Sequence, residues 1–270
     1  MALKLKLHTQ PDVPLEADCI SPDRLQSLSI AEVSTQTIFH GNRQVPLGEF
    51  FDCSGEFDGE IIIDGDCSKV KHIGSVMSFG KITVEGDVGV HVGAVMSGGE
   101  ILINGNASDW VGPEMLGGRI IVKGDAGHMV GSGYRGSTVG MQGGEIIVHG
   151  NVKNETGHVM RRGLIVVGGN SGDFTAVNML AGTIIVLGEM GIRTGAGMKR
   201  GTVISLQSAE MIPTFSHSCQ YQPSFIRHYY KYLKTLGLNI DETFLNGPFE
   251  RWCGDSIELN RGEVLIYAGK

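Results

Sequence analysis

Short runs of alternating apolar and polar residues recur along the chain at a nearly constant interval. The phrase GAVMSGGEILINGN, at residues 93–106, has close variants before it and after it. Aligned on the pattern G-x-I-x-V-x-G-D, successive copies lie 19 residues apart, except for one interval of 21 and one of 26. The eight copies begin at Gly59, Gly80, Gly99, Gly118, Gly144, Gly163, Gly182 and Gly201. Repetition at a fixed period of this length indicates a repeat architecture.

Within each copy, β-branched residues occupy alternate positions, as Ile101 and Ile103 do in the quoted phrase. This alternation predicts a short strand with one buried face. The position between them is often apolar too, so we expect another subunit or chain segment to cover the outer face. A glycine followed by Asp or Asn closes most copies, as at Gly105 and Asn106, and this pair favours a turn.

A unit of 19 residues cannot bury its own apolar face, so its stability requires that the copies stack. Stacking places each strand in parallel beside its copy in the next coil, about 4.8 Å away. The sequence lacks the six-residue period that a left-handed hexapeptide helix would need. The fold class we expect is therefore all-β, a right-handed parallel β-helix of about eight coils of 19 residues.

Methionine forms a second column in the same register. Seven of the eleven methionines belong to it, namely Met77, Met96, Met115, Met141, Met160, Met179 and Met198. A methionine column could bind a soft metal or form an adaptable docking surface. The interpretation we favour is a ladder of core side chains that fills one interior corner of every coil.

The residues outside the repeats predict a cap at each end of the array. We expect residues 1–58 to form a small N-terminal cap, residues 59–208 the β-helix array, and residues 209–270 a C-terminal extension with one helix and a returning strand. These boundaries follow the first and last recognisable copies of the repeat.

Several elements of the two caps can be predicted. Alternating leucines at residues 3–7 predict a strand, and a hairpin is expected around His40. A helix is expected from Ser224 to Gly237, and the strand that begins at Gly262 resembles a ninth, degenerate copy. The expected apolar face of the helix consists of Phe225, Tyr229, Leu233 and Leu236.

Composition narrows the functional classes. The formal net charge of −7 argues against general nucleic-acid binding, which needs a basic footprint. The sequence contains no run of 18 apolar residues, so no membrane span is predicted. The first residues contain no apolar signal core. The five cysteines, an odd number without C-x-x-C spacing, fit free thiols. We therefore expect a cytoplasmic protein that binds neither nucleic acid nor membrane.

One charge feature interrupts the repeat. The two positions after the methionine column are basic in two copies, at Arg161-Arg162 and at Lys199-Arg200. Two coils separate the pairs, so they should lie roughly 10 Å apart on one edge. This edge is either solvated or paired with carboxylates of another subunit, or it is a track for a polycarboxylate anion.

The insertion GSGYRG, at residues 131–136, matches the G-x-G-x-x-G pattern of dinucleotide sites. Such a site needs a helix after the loop, and a further copy of the strand follows here instead. We interpret the insertion as a contact loop, and we predict that Tyr134 and Arg135 touch a partner subunit.

His72 and His91 share a register and should stack about 5 Å apart. A metal site needs three or four ligands, and the rest of this column offers no third one. We therefore predict an outward-facing ladder there, with no metal and no catalytic residue in this chain.

The V-G-x-x-M and G-x-I-x-V-x-G-D phrases together resemble a known module. They resemble the glycine-rich β-helix at the C-terminal end of the large subunit of glutamate synthase, and more closely the C subunit of formylmethanofuran dehydrogenase. The resemblance covers residues from about 55 to 208, the front segment that begins PDVPLEADCI, and the insertion.

This family has two branches. In methanogens, the C subunit belongs to a molybdenum or tungsten enzyme that reduces CO2 to formylmethanofuran. In methylotrophic bacteria, a related four-subunit formyltransferase/hydrolase complex transfers a formyl group from formyl-tetrahydromethanopterin to a methanofuran-type carrier and releases formate, in formaldehyde oxidation and one-carbon metabolism. The tail MIPTFSHSCQYQPSFIRHYYKYLKTLGL and the charged content of 19% favour the bacterial branch.

The resemblance implies that catalysis belongs to other subunits, a zinc amidohydrolase-like A subunit and a formyltransferase D subunit. This chain would be a scaffold without a cofactor of its own, assembled with subunits A, B and D as a hetero-octamer of two copies each. The family's carrier bears a polyglutamate tail, and guanidinium groups bind carboxylates in a bidentate manner. Our hypothesis is that four residues hold this tail, namely Arg161, Arg162, Lys199 and Arg200.

Two alternatives stay open. The chain could be the C subunit of an archaeal molybdenum or tungsten formylmethanofuran dehydrogenase. It could also be an independent β-helix enzyme that acts on carbohydrates, such as a polysaccharide lyase or esterase. The second alternative needs a cluster of acidic or basic catalytic residues on one face, and the repeat columns contain none.

Overall fold

A computed structural model describes residues 2–238 and 240–269, and its largest sheet has 13 strands. The strands of these described residues are β1 Leu3–Leu7, β2 Leu15–Glu16, β3 Thr37–His40, β4 Arg43–Pro46, β5 Phe51–Ser54, β6 Glu60–Asp64, β7 Val70–Lys71, β8 Lys81–Val84, β9 Glu100–Ile103, β10 Arg119–Val122, β11 Glu145–Val148, β12 Leu164–Val167, β13 Thr183–Val186, β14 Arg200–Ser205, β15 Ser216–Tyr221, β16 Phe249–Gly254 and β17 Arg261–Tyr267. The helices are α1 Pro22–Leu25, α2 Ile30–Ser34, α3 Ile226–Thr235 and α4 Thr243–Asn246, with a 3-10 helix at Leu47–Glu49.

The predicted stacking of the repeat strands is confirmed. Strand β6 pairs in parallel with β8, and each strand from β8 to β14 pairs in parallel with the next. Equivalent residues lie side by side, as Ile101 does beside Ile120. A second ladder of single parallel bridges runs beside the sheet from Cys67 to Met190. The result is a mostly β, mostly parallel architecture that is consistent with a β-helix fold.

The interior is filled by columns of identical or similar side chains. All seven column methionines are 0% exposed, which confirms that they belong to the core. The inward strand positions are equally buried, as at Ile101 and Ile103. Because each buried residue has its own copy above and below it, the array forms one continuous apolar core.

The first position of the repeat strands carries an alternating ladder of charges. Lys81 Nζ lies 3.0 Å from a Glu60 oxygen, and Arg119 binds Glu100 at 3.3 Å and Glu145 at 3.0 Å. Because parallel stacking places each charge beside the next copy, the signs must alternate to attract. This ladder favours the observed register over a slipped one.

Each coil also turns through residues in the left-handed backbone region that are not glycine, which the sequence did not predict. The column that begins at His72 has φ of 65° there, and φ remains between 56° and 66° in all its copies down to Arg193. Two residues further on, glycine holds φ of +70° at Gly74. A side chain at positive φ costs free energy, so the hydrogen bonds between coils must impose this conformation.

Both ends of the array are closed. At the first end, β1 pairs in parallel with β6 and antiparallel with β5, and β3 and β4 form the expected hairpin. At the last end, Phe215 lies against Gly195 and Gly254 with only 5% of its surface exposed. Strand β17 pairs in parallel with β14, with Gly262 beside Gly201, so the ninth copy of the strand is confirmed.

The helix α3 covers the outer face of the sheet. The outward-facing residues between the core positions are buried beneath it, and they are Ile121, Ile147, Val166, Ile185 and Ile204. The cover expected over this face therefore comes from the chain's own C-terminal extension. Within the described residues, no helix is long and apolar enough to cross a membrane.

The predicted apolar face of this helix was partly wrong. Ile226 and Tyr230 are the buried residues along with Leu233, while Phe225 is 38% exposed. The helix is rotated because hydroxyl groups also dock: the Tyr232 hydroxyl donates to Glu145 and accepts from Arg119. Hydropathy alone does not reveal which aromatic hydroxyls meet a polar partner.

The glycine at the left-handed turn faces an isoleucine, and this pairing changes once. A Cβ at Gly157 would overlap Cδ1 of Ile184, and four earlier glycines face an isoleucine in the same way. In the next coil the glycine is replaced by Ala176, which is fully buried at φ of 62°. The same register places Val203 opposite, and valine lacks the Cδ1 methyl.

We expect Val203→Ile to overpack this corner and to lower the free energy of unfolding by about 1–3 kcal/mol. The double variant Ala176→Gly/Val203→Ile restores the pair found in the other coils and should recover at least half of the loss. Urea unfolding of the two single variants and the double variant measures the interaction energy. With Ala181→Gly as the control partner, no recovery is expected, and equal recovery in both cases would contradict this size matching.

Candidate functional site

The four basic residues that the sequence singled out come together in one open groove of about 450 Å³ near the end of the array. Its walls are Arg161, Arg162, Lys199 and Arg200, together with Leu180 and Leu259 among others. The three arginines are exposed and Lys199 is half-exposed. The groove therefore presents cations to solvent beside two apolar side chains.

The coil backbone fixes the spacing of these cations. Arg161 donates its backbone N–H to the Met141 carbonyl, and Lys199 donates in the same way to Met179. Both basic pairs thus follow directly after a buried methionine anchor, two coils apart, at roughly 10 Å along the array. A rigid ladder places the side chains, so little ordering is needed before an extended ligand binds.

Arg261 is a fifth cation on this edge, and it was not predicted from the sequence. In the pairing of β14 with β17, Arg261 lies directly beside Arg200, and both are exposed. The signal was present in the sequence, because Gly262 was recognised as the start of a ninth copy. The residue before that glycine falls in the same column as Arg162 and Arg200.

The cations of this edge differ from those elsewhere in the array in how they are paired. Two residues further along the chain, at the first position of the repeat strands, each cation is matched by a carboxylate. In the groove, only Lys199 has a carboxylate within ion-pair distance in the described parts of the chain, at 3.8 Å from Glu258. Like charges side by side in a sheet are destabilising. A chain of net charge −7 thus leaves cations adjacent and uncompensated at one place, which is typical of an anion site.

The insertion between the fourth and fifth copies folds back onto the coils. The Tyr134 ring lies 5.4 Å from that of His91 and 6.5 Å from that of Trp110, and its hydroxyl lies 3.2 Å from His91 Nδ1. Burial raises the pKa of Tyr134 to about 12. Arg135, in contrast, is exposed at the tip of the loop. Of the two predicted contact residues, only Arg135 is fully presented to solvent.

The histidine ladder stacks as the register predicts. The His72 and His91 rings lie 4.8 Å apart at an interplanar angle of 11°. Burial, and then the neighbouring His72, lowers the pKa of His91 to about 4, and burial lowers the pKa of His72. Both rings are therefore neutral near pH 7. Across residues 2–238 and 240–269, no group of three or more His, Cys, Asp or Glu side chains could hold a metal ion.

Comparisons with known proteins agree with this architecture. The family model of the GXGXG motif matches residues 62–222. The C subunit of molybdenum-containing formylmethanofuran dehydrogenase 1 from Methanothermobacter marburgensis is 48% identical over 80 residues, which is 29% of this chain and 20% of that protein. The C subunit of tungsten-containing formylmethanofuran dehydrogenase 2 from Methanothermobacter thermautotrophicus is 48% identical over 86 residues, 30% of this chain and 32% of that protein. The chain thus spans between a fifth and a third of these curated relatives.

A solved structure matches almost the whole chain. It is a chain of the X-ray crystal structure of the formyltransferase/hydrolase complex (FhcABCD) from Methylorubrum extorquens in complex with methylofuran. The TM-score is 0.91 at 32% sequence identity, and the match covers 98% of this chain and 100% of that chain. The likeness therefore includes both caps as well as the repeats, and the family resemblance predicted from the sequence is confirmed.

The groove and the charge ladder should respond in opposite ways to neutralisation. Arg261→Gln removes one of two adjacent like charges, so stability should stay the same or rise by up to about 0.5 kcal/mol. Arg119→Gln leaves Glu100 and Glu145 without their shared cation and should cost about 1 kcal/mol. Urea unfolding at low and high salt measures both effects, and salt should abolish any gain. A clear loss of stability in Arg261→Gln would contradict an uncompensated basic column.

Proposed function

Because the chain belongs to the GXGXG-motif family, whose model matches 161 of its 270 residues, we propose that it is a non-catalytic scaffold subunit of a formyltransferase/hydrolase complex. Such a complex transfers a formyl group from formyl-tetrahydromethanopterin to a methanofuran-type carrier and hydrolyses it to formate, in one-carbon metabolism. The observation that carries the proposal is the whole-chain structural match to a component of a complex of this name.

The distribution of side chains supports a scaffold. The interior of the array is occupied by stacked apolar columns, so binding is left to its edges and loops. We infer a right-handed β-helix of about eight coils, spanning residues 59–208 between a cap at 1–58 and an extension at 209–270. In this arrangement the rigid ladder holds partner subunits at fixed distances from one another.

The partners in this proposal are subunits A, B and D in the cytoplasm, with two copies of each subunit in a hetero-octamer. Zinc belongs to a partner, and the carrier is shared by the complex. The exposed tip of the insertion, with Arg135 outermost and Tyr134 behind it, is proposed as one partner contact. The stacking of Tyr134 on His91 supports this role because it gives the loop a fixed shape.

The basic groove is proposed to hold the polyglutamate tail of the carrier. Methylofuran is named in the matched complex, and the groove offers the cations that carboxylates require. Arg161, Arg162 and Arg200 can each bind a carboxylate in a bidentate manner, and Lys199 adds a point charge. Arg261 extends the track by one further coil.

A second function is supported by the curated relatives. These are C subunits of molybdenum- and tungsten-containing formylmethanofuran dehydrogenases from methanogens. In that case the chain would serve as a scaffold beside a metal-containing partner. The short alignments, against a solved chain matched over its full length, make this the second choice.

Native mass spectrometry of the endogenously tagged protein, with metal analysis, tests the assembly. We expect a four-subunit complex that contains zinc and neither molybdenum nor tungsten. Molybdenum or tungsten with iron–sulfur partners would move the function to the dehydrogenase. A monomer without partners would contradict both functions.

The groove is tested by binding of γ-linked tetraglutamate to the protein with the subunits that co-purify. The double variant Arg161→Gln/Arg162→Gln should weaken binding at least tenfold, because each lost charge-assisted contact is worth about 1 kcal/mol or more. Lys4→Gln/Lys6→Gln removes two exposed lysines at the other end of the sheet and serves as the matched control. Equal binding by both variants would contradict a carrier site in the groove.

A further inference from the structure

A loop at the end of the groove is held in place by a buried carboxylate. Asp255 is 2% exposed, and its oxygens accept the backbone N–H groups of Gly197 and Ile257, both at 3.0 Å. Its carbonyl accepts the N–H groups of Glu258 and Asn260, both at 3.1 Å. Burial opposes ionisation, but the hydrogen bonds from Gly197 and Ile257 hold the pKa of Asp255 below its usual value. The loop is therefore fixed to the turn that leads into Lys199.

This fixed loop delivers a carboxylate to the groove. Leu259 forms part of the groove wall, and Glu258 Oε2 lies 3.8 Å from Lys199 Nζ. The side chains of Lys199 and Glu258 are 45% and 35% exposed. An ion pair this open to solvent contributes little free energy, so another carboxylate can replace Glu258 at small cost.

Resting on the proposed function of the groove, we propose that Glu258 is a resident competitor that sets the affinity of this site for carboxylates. When the groove is empty, Glu258 pairs with Lys199. A ligand with several carboxylates binds the arginines and displaces Glu258 from Lys199. The ligand class follows from Glu258, because the group that this residue places beside Lys199 is itself a carboxylate.

The tether strengthens the competition. A group held on a short chain acts at an effective concentration in the mM range, so a ligand with one carboxylate displaces Glu258 only at similar concentrations. A polycarboxylate also holds on to Arg161, Arg162 and Arg200, and its local concentration at Lys199 rises accordingly. The site would then hold a long tail while each contact stays weak enough to exchange.

Glu258 could instead lower anion affinity merely as a nearby negative charge. The two roles differ in their dependence on Lys199. Displacement from Lys199 has no effect when that ammonium group is absent, whereas a general field acts on any anion in the groove. A double-mutant cycle between these two residues separates the roles.

The experiment measures γ-linked tetraglutamate binding to the complex carrying Glu258→Gln, Lys199→Met, both, or neither. We expect Glu258→Gln to strengthen binding by between about 1.5- and 5-fold, the range that fits an exposed ion pair. In the Lys199→Met background, the same change should have no effect. Glu258→Asp keeps the charge but shortens the reach, so it should reproduce part of the gain.

Each other outcome is decisive. An equal gain in both backgrounds makes Glu258 a general field charge and overturns the competitor role, as does the absence of any gain. Binding by the wild type that Arg161→Gln/Arg162→Gln abolishes, without an effect of Glu258→Gln, leaves the carrier groove standing and removes only this inference. Binding by neither the wild type nor Glu258→Gln overturns both proposals.

Discussion

The structure depends on one constraint, the parallel register that places every side chain beside its own copy in the next coil. Ile101 lies between Ile82 and Ile120, and the pattern extends through the array. Under this constraint an apolar side chain packs against its copies in both neighbouring coils, because the side chains of one column match in shape and size. Charged residues in one column repel each other unless the sign of the charge alternates between neighbouring coils. The sequence of such a fold is therefore constrained column by column.

Two columns show how the chain meets this constraint. At the first strand position, the signs alternate from Glu60 through Arg119, and each ion pair reinforces the register. At the left-handed turn, glycine alone leaves room for an isoleucine methyl, and Ala176 occurs where Val203 supplies a shorter side chain. In both columns, the residue at one position differs between coils only where the residue that faces it differs too. This agreement between levels specifies one stacking arrangement.

The elements that follow from the periodicity of the sequence could be predicted. The features that depend on contacts between residues far apart in the sequence could not. The strands, the methionine core and the return of Gly262 to the sheet follow from spacing. The orientation of α3 does not, because Tyr232 docks by its hydroxyl on Glu145, a residue far away in the sequence. The left-handed turns were missed for a similar reason. Residues such as Trp110 do not favour positive φ by themselves, and only the hydrogen bonds between coils impose it.

The candidate site stands out against the same constraint. A column that repeats one sign is unfavourable in a parallel stack, yet Arg162, Arg200 and Arg261 share one column, and the last two are direct neighbours. A chain that alternates its charges two residues away has the means to avoid this arrangement. Its occurrence in an otherwise acidic protein supports the proposal that an outside anion completes the column. The complex named in the matched structure contains methylofuran. A carrier with repeated carboxylates would supply along its length the alternation of sign that the coils leave out.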